Sequence, residues 1–254
     1  MNLTTTLYAT SINQVIEQLD AIIDWSKHNQ SRIGYFATLY RKMTIAVKEG
    51  IANNRFENGH RMEALDIIFA NRYLHAFDAY VNKKPCTNAW CVAFDAASKT
   101  NLIVLQHLVL GINTHINLDL GIAAAEACPG QEIHGLKGDF EKINDVIAAL
   151  TQSVQDDLSE VWPPLKLLAS IANHHQEAVL NFSINTARKA SWANAVALSA
   201  MTGLVKESYI KVMDETVVVL AHRIMSPGLA VQLILSPVLH KENKHVSEII
   251  EMLN

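Results

Sequence analysis

A stretch near the middle of the chain, Leu110 to Leu120, combines residue types that could do chemistry with a spacing that groups them on a helix. His115 and Asp119 are four residues apart, and His107 lies eight residues before His115. Residues i and i+4 are neighbours on a helix, so Asp119 can hydrogen-bond His115 and fix its tautomer. We therefore predict that His107, His115 and Asp119 carry out acid–base catalysis or, with ligands from other segments, bind a divalent metal.

A second polar row lies on the other side of the same predicted helix. Asn113 and Asn117 belong to it, and both are poor helix formers, so something must offset their cost. We expect them to position a substrate beside His115. The alternative is a buried network in which the same amide, imidazole and carboxylate groups only link neighbouring helices.

Residues from other segments are candidates for ligand binding. Asp66 and Tyr73 share a face of an upstream helix, and Arg72 lies beside that face. A buried arginine usually pairs with a carboxylate, so Arg72 either anchors its helix or holds an anionic ligand. Trp90 belongs to the same candidate set, as does His222, which interrupts an apolar run.

Two Glu-x-x-His spacings occur, Glu57 with His60 and Glu242 with His245. A pair of such motifs is typical of carboxylate-bridged di-iron bundles. Both lie in polar segments near helix ends, which favours solvated helix termini over a metal centre.

The sequence pattern predicts helices for all the segments that must position these residues. Capping residues and apolar positions three and four apart recur along the chain, and long alternating β-branched runs are absent. We predict one all-α domain over residues 1–254, a compact multi-helix array around a long central helix from about 101 to 128. The other helices are expected near 11–28, 31–50, 58–80, 88–97, 138–161, 163–181, 183–202 and 205–225, with two short ones around Pro237.

Composition limits the classes of function. Hydrophobic residues make up 50% of the chain and charged residues 18%, against about 25% charged in an average protein. This balance indicates a large core, a subunit interface in a homo-oligomer, or an apolar cavity. The net charge is −4, and the chain has no cluster of basic residues. Nucleic-acid binding is therefore not expected.

The cysteines, the first ten residues and the most apolar stretch indicate the compartment in which the protein is expected. The chain has three cysteines, Cys86, Cys91 and Cys128, without a paired metal spacing. We expect small core thiols rather than a disulfide framework. The first ten residues lack the pattern of an export signal, so we expect a cytoplasmic protein. The apolar stretch from Thr216 to Leu239 contains charged and proline residues, which predicts two buried helices meeting at Pro227-Gly228 rather than a transmembrane segment.

At the central helix the chain resembles a bacterial family catalogued as a domain of unknown function, number 5995. The characteristic helix of that family reads Leu-Gly-x-Asn-x-His-Ile-Asn-x-Asp-Leu, which is Leu110 to Leu120 here. The likeness extends upstream over Tyr40, Thr44, Phe56, Leu65-Asp66, Phe69-Ala70, Tyr73, Trp90, Phe94 and His107, and it weakens after Glu126. The resemblance implies a shared fold and site, and it implies no particular reaction.

Three classes of function follow from these residues. The first is an enzyme, a hydrolase or lyase, in which His115 oriented by Asp119 acts on a small apolar molecule. The second is a non-catalytic binding or assembly protein, in which the same groups form a structural network. The third is a peripheral membrane protein that uses the stretch from Thr216 to Leu239.

Overall fold

The computed structural model describes residues 7–143, 146, 184–242 and 245–254. Within these ranges every regular element is a helix, so the predicted all-α class is confirmed. The helices are α1 (Ile12–His28), α2 (Ile33–Ala52), α3 (Gly59–Val81), α4 (Asn88–Asp95), α5 (Val104–Ala127), α6 (133–143), α7 (Ile184–Ser199), α8 (Gly203–Met225), α9 (Leu229–Lys241) and α10 (Val246–Leu253). The helix expected over 163–181 and most of that over 138–161 lie outside the described residues.

The helix ends follow local capping chemistry where the cap is close in sequence. Ser11 and Asn58 cap α1 and α3, and their side chains accept hydrogen bonds from the backbone N–H groups of Gln14 and Arg61. Gly50 does not end α2 as expected, and the helix continues to Ala52. The ring of Phe56 packs directly on Gly50 and leaves no room for a side chain there, so this glycine serves packing rather than helix termination.

The central helix α5 is enclosed by the other helices. Helices α2, α3, α4, α7 and α8 all pack against it, and α4 also packs against α8. Its middle turn, His115–Leu120, is a π-helix between the α-helical parts Val104–Thr114 and Gly121–Ala127. A π-helix accommodates wider turns with i→i+5 hydrogen bonds, and such turns occur often at functional sites. This irregular turn coincides with the segment that carries His115 and Asp119.

Three carboxylates from distant parts of the chain cap helix N-termini. Asp139 on α6 accepts from the backbone N–H groups of Glu57 and Asn58, just before α3. Asp214 on α8 accepts from the first two backbone N–H groups of α4. Glu242 accepts from the N–H of Val104, the first residue of α5. Negative charge is favourable at these positions because unpaired N–H groups and the helix dipole meet there.

Cys86 and Cys91 form a disulfide that ties the segment before α4 to the first turn of α4. The expectation of three core thiols is therefore wrong for these two residues and holds for Cys128, which is buried and free. The odd number of cysteines and the lack of a repeated spacing concealed a single local cross-link.

The C-terminal part of the fold differs from prediction in two respects. Helix α9 runs through Pro237 instead of breaking there, and α10 follows as a separate helix. The corner at Pro227-Gly228 is present, but α8 and α9 are not fully buried. Val219, Leu229 and Leu233 on their outer faces are 53%, 80% and 76% exposed.

By length and composition, one helix of the described residues could cross a membrane. It is α5, with a mean hydropathy of 1.3 over its most apolar window, of which 83% is buried inside the fold. Helices α8 and α9 would pass only as a pair, and they are bent by 47° relative to each other. The burial of α5 among other helices is typical of the core helix of a folded domain. The absence of a transmembrane segment remains a prediction.

Candidate functional site

Asp119 is at the centre of a buried polar cluster. It is 1% exposed, and its Oδ1 accepts a hydrogen bond of 2.8 Å from Nε of Arg72. Its Oδ2 accepts one of 2.8 Å from Nε1 of Trp90. Burial alone would raise the pKa of Asp119, but Arg72, His115 and Trp90 together lower it below its ordinary value. Arg72 therefore anchors α3 to α5, as the first of its two predicted roles requires.

His115 lies beside this carboxylate without a direct hydrogen bond to it. Its Nδ1 is 3.6 Å from Oδ2 of Asp119, which is slightly too long for a hydrogen bond. Within the described part of the chain, neither ring nitrogen of His115 has a hydrogen-bond partner, although the side chain is 5% exposed. Unpaired buried nitrogens are uncommon and call for an explanation.

Aromatic rings surround the imidazole. The ring of Phe69 stacks on it with centroids 3.6 Å apart, and Tyr40 meets it edge-on at 4.3 Å. Phe36 lies at 5.5 Å in a similar edge-on geometry. Burial lowers the pKa of His115, and the attraction of Asp119 opposes this shift without overcoming it. The imidazole is therefore neutral at neutral pH and retains a lone pair that can accept a proton.

His115 forms part of the wall of a cavity of about 120 Å³ between α2, α3, α5, α6 and α7. The wall is mostly apolar and includes Leu39, Met43, Phe69, Ile112 and Ile116. Asp66 on α3 lines the same cavity, is 7% exposed, and has no hydrogen-bond partner for Oδ2 among the described residues. Burial, reinforced by Glu63, raises the pKa of Asp66 to about 7. A neutral imidazole, a carboxyl group that can hold its proton, and the guanidinium of Arg188, which donates to the backbone oxygen of Phe140, thus line one largely apolar space.

Tyr73 lies next to this site rather than in the cavity wall. Its ring is 5.0 Å from that of Trp90 and 6.3 Å from that of His115, between centroids. The side chain is fully buried, and burial raises the pKa of its hydroxyl. Asp66, Arg72, Tyr73 and Trp90 are therefore all brought to the neighbourhood of His115 and Asp119.

The second polar row of α5 is on the opposite side, so Asn113 and Asn117 do not position anything beside His115. The Nδ2 of Asn113 donates to the backbone oxygen of Val217 on α8, and its Oδ1 accepts from Asn117. The predicted role of these two residues is corrected accordingly. They form the structural network that was the alternative interpretation, because α8 packs directly against that face of the helix.

Two predicted histidines are also separate from the site. His107 lines other cavities near the start of α5, with Arg32 and Tyr35. His222 is exposed near the end of α8, because the buried face of that helix carries Val217, Ala221 and Ile224 instead.

The predicted metal site does not match this arrangement. No three His, Cys, Asp or Glu side chains in the described ranges come together as metal ligands. His107 is not in the cavity of His115, and Asp119 is already paired with Arg72 and Trp90. The Glu-x-x-His pairs do not form a centre either, since His60 and His245 are exposed.

The sequence interpretation missed the aromatic enclosure of His115. Phe36 and Tyr40 are four residues apart on α2, and Phe69 and Tyr73 are four apart on α3. Each pair therefore lies on one helix face, and both faces meet at the imidazole. Two aromatic i, i+4 pairs in neighbouring helices were the signal that could have indicated the enclosure.

Comparison with known proteins gives a family but no characterised relative. No curated protein and no solved structure matches the chain. A family match covers residues 12–227, a range that contains α1 to α8 together with the whole of the helix from Leu110 to Leu120. The family is described as "Family of unknown function (DUF5995)", and this chain belongs to it.

Proposed function

We propose that the protein is an enzyme that performs acid–base chemistry on a small, uncharged, largely apolar molecule held in the cavity beside His115. The observation that carries the proposal is the imidazole of His115, which has no hydrogen-bond partner among the described residues and lines an apolar cavity. Few convergent polar groups in an apolar wall are typical of small-molecule sites.

The roles of the side chains follow from their positions. Asp119, on the Nδ1 side of His115, favours the tautomer that has its proton on that nitrogen. The remaining nitrogen, Nε2, then has the lone pair that takes a proton from the substrate. Asp66 can give a proton to a substrate oxygen across the cavity, since its pKa is raised to about 7. One proton is taken and one is given, so the charge on the substrate does not change.

The cavity volume limits the substrate. A cavity of about 120 Å³ is comparable to engineered apolar cavities that take up benzene. We therefore expect a substrate of roughly that size with one carbonyl or hydroxyl group. Neither arginine near the site is placed to serve a charged substrate. Arg72 pairs with Asp119, and Arg188, which lines the cavity, donates to the backbone oxygen of Phe140 and stacks on its ring.

Chemical modification tests whether His115 is reachable. Diethyl pyrocarbonate, a small uncharged reagent, should acylate His115 in the folded protein near neutral pH, as measured by mass spectrometry of its peptide. His222 is exposed and provides the positive control. A protein that reacts at His222 and stays unmodified at His115 would contradict the proposal.

Exchange of a ketone proton tests the chemistry itself. With cyclopentanone in heavy water, transfer of an α-proton to His115 and protonation of the carbonyl oxygen by Asp66 would give the enol. Exchange of the transferred proton with the heavy water, followed by reversal of the step, introduces deuterium at the α-carbon, which NMR detects. The wild type should accelerate exchange, and His115→Gln and Asp66→Asn should lose the acceleration, while the exposed-site variant His222→Gln keeps it.

A non-catalytic binding protein is the second candidate, favoured by the stacking of Phe69 on His115, which fills one face of the imidazole. In that case cyclopentanone would perturb the methyl resonances of Ile112 and Ile116 without any deuterium incorporation. Binding with no exchange would therefore favour this second function over the first.

A further inference from the structure

A second cavity lies at the other end of the polar helix. It has a volume of about 330 Å³, within the range of ligand pockets, and no residue of its wall belongs to the wall of the His115 cavity. Its wall comes from the start of α2, the segment before α5, the first turn of α5, and the region from α9 to α10. The chemistry of this cavity is independent of the function proposed above.

The guanidinium of Arg32 and the carboxyl of Glu242 face this cavity without forming a salt bridge with each other. Burial raises the pKa of Glu242 to about 7, against the opposing effects of the Val104 N–H and of Arg32. An ammonium group in the cavity would therefore hold this carboxyl in its ionised form. Nη1 of Arg32 donates to the backbone oxygen of Ala97 at 3.0 Å, and no carboxylate in the described ranges lies within salt-bridge distance of its guanidinium. The two oxygens of Glu242 each lie 3.1 Å from the backbone nitrogen of Val104. A carboxylate has about four acceptor sites, so Glu242 retains capacity for a further donor.

A buried imidazole is the second observation that points to a ligand. His107 is 7% exposed, and its Nε2 has no hydrogen-bond partner among the described residues. Burial, with a contribution from Arg32, lowers the pKa of His107 to about 3, so the ring is neutral. Burying a polar atom without a partner costs stability, and a ligand atom in the cavity would remove that cost. The phenol of Tyr35 and the hydroxyl of Thr100 are further polar groups of the same wall.

The rest of the wall is aliphatic and consists of Leu102, Val104, Leu239 and Ile249. We propose that this cavity binds a small zwitterion with an apolar side chain, of the class of the aliphatic α-amino acids. The carboxylate of the ligand pairs with Arg32, its ammonium group pairs with Glu242, and its side chain packs on the aliphatic part of the wall.

The choice of a zwitterion follows from the two ionisable groups, Arg32 and Glu242, that face the cavity without an ion-pair partner among the described residues. An anionic ligand would satisfy Arg32 and leave Glu242 with Val104 N–H as its donor and with acceptor sites unused. A cationic ligand would satisfy Glu242 and face the guanidinium of Arg32. Only a ligand with both charges pairs with both residues, and each of these side chains is partly removed from water, which strengthens such pairing.

A matched set of three probes tests this inference by isothermal titration calorimetry. L-leucine has both charged groups, 4-methylpentanoate has only the carboxylate, and 3-methylbutylamine has only the ammonium group. We expect L-leucine to bind at least about tenfold more tightly than either single-charge probe, because each lost charge-assisted hydrogen bond weakens binding. No binding of L-leucine, or equal binding of a single-charge probe, would overturn the proposal.

Two variants assign the charges. Glu242→Gln should weaken L-leucine binding by about tenfold or more and leave 4-methylpentanoate unaffected or improved. Arg32→Gln should weaken L-leucine to a similar extent and spare 3-methylbutylamine. Arg55→Gln, at an exposed arginine away from the cavity, is the control and should bind L-leucine like the wild type. Unchanged L-leucine binding in both cavity variants would contradict the assignment.

Two further measurements separate other causes of failure. Circular dichroism melts show whether each variant is folded, and if one is not, the three-probe series on the wild type still decides the question. His115→Gln should bind L-leucine normally, since His115 is not in this cavity. Loss of ketone exchange with retained L-leucine binding would thus concern the first site alone.

Discussion

Asp119 and His115 are neighbours with different structural roles. Asp119 receives hydrogen bonds from Arg72 and Trp90, whereas His115 makes none with the described residues. Residues that serve a site rather than the fold can often be replaced with little loss of stability. The two side chains should therefore respond differently to substitution.

Asp119→Ala should lower the free energy of unfolding by about 3 kcal/mol, because Arg72 and Trp90 both lose their acceptor in a buried setting. His115→Phe should change it by less than about 1 kcal/mol, since the ring stacking on Phe69 can persist and no hydrogen bond is lost. Urea denaturation measures both values. A large loss in His115→Phe would show that the imidazole supports the fold.

The carboxyl of Asp66 makes stability depend on pH in an unusual direction. Its pKa is 3.8 in an ordinary environment and about 7 in the folded protein. Between these values the folded protein retains a proton that the unfolded chain has released. The corresponding stability is complete below the lower pKa and is lost as pH rises through the higher one.

We therefore expect the free energy of unfolding of the wild type to fall between about pH 4 and about pH 7 relative to Asp66→Asn, by at most about 4 kcal/mol. Urea denaturation of both proteins across this range measures the difference. The variant is the control for every other titrating group. A constant difference between the two proteins would show that Asp66 is ionised in the folded state.

At this scale the sequence predicted which residues would be buried together and could not predict all of their partners. The i, i+4 spacing of His115 and Asp119 is local, so their proximity could be read directly. The pairing of Asp119 with Arg72 and Trp90 joins residues far apart in the chain. Asn113 and Asn117 were assigned to the wrong neighbour, because a helix face alone does not identify what packs on it.

At the scale of elements, the close contact between α2 and α5 depends on Gly111. A Cβ atom at this position would overlap the ring of Phe36, which in turn borders His115. The glycine thus permits the close approach of this aromatic side chain to the backbone of α5.

Gly111→Ala should lower the free energy of unfolding by about 1–3 kcal/mol, because overpacking forces Phe36 or α2 to shift. Gly135→Ala is the matched control. A Cβ atom there would lie 3.2 Å from Nη1 at the flexible end of Arg61, on an exposed helix position. This control should be neutral or gain up to about 1 kcal/mol. Thermal melts that rank the two variants the other way would contradict the packing argument.

Helix ends divide into two kinds by the origin of their caps. Ser11 and Asn58 cap their own helices, which the sequence predicts to begin near these two residues. Asp139, Asp214 and Glu242 cap helices that lie far from them in the chain. A carboxylate of this second kind looks like an ordinary charged residue in the sequence, since its partner is set only by tertiary packing.

At the scale of the whole molecule, one helix supplies histidines to two separate cavities. His107 and His115 were predicted to act together, and they line different spaces at different positions along α5. Residues from α9 to α10, beyond the range of the family match, complete the wall of the cavity at His107. Local spacing could not reveal this division, because it depends on the position of the C-terminal helices.

The state of the cysteines is a property of the whole chain and its surroundings. Alkylation of the denatured, unreduced protein should label Cys128 alone, because Cys86 and Cys91 are paired. Intact-mass measurement counts the labels, and reduction before alkylation is the control that should give three. Three labels without reduction would contradict the cross-link. Disulfides persist mainly in oxidising compartments, so the same measurement on protein trapped in cells tests the predicted cytoplasmic location.

The π-helical turn at His115–Leu120 determines how the last part of α5, Gly121–Ala127, is rotated about the helix axis. One surplus residue in a turn rotates the later part of a helix by about 100° relative to an uninterrupted α-helix. Gly121, where α7 comes close to the backbone, has its orientation only because of this offset. In a homologous chain with one residue fewer between positions 115 and 120, this helix could keep its contacts with α2 or its contacts with α7, but not both.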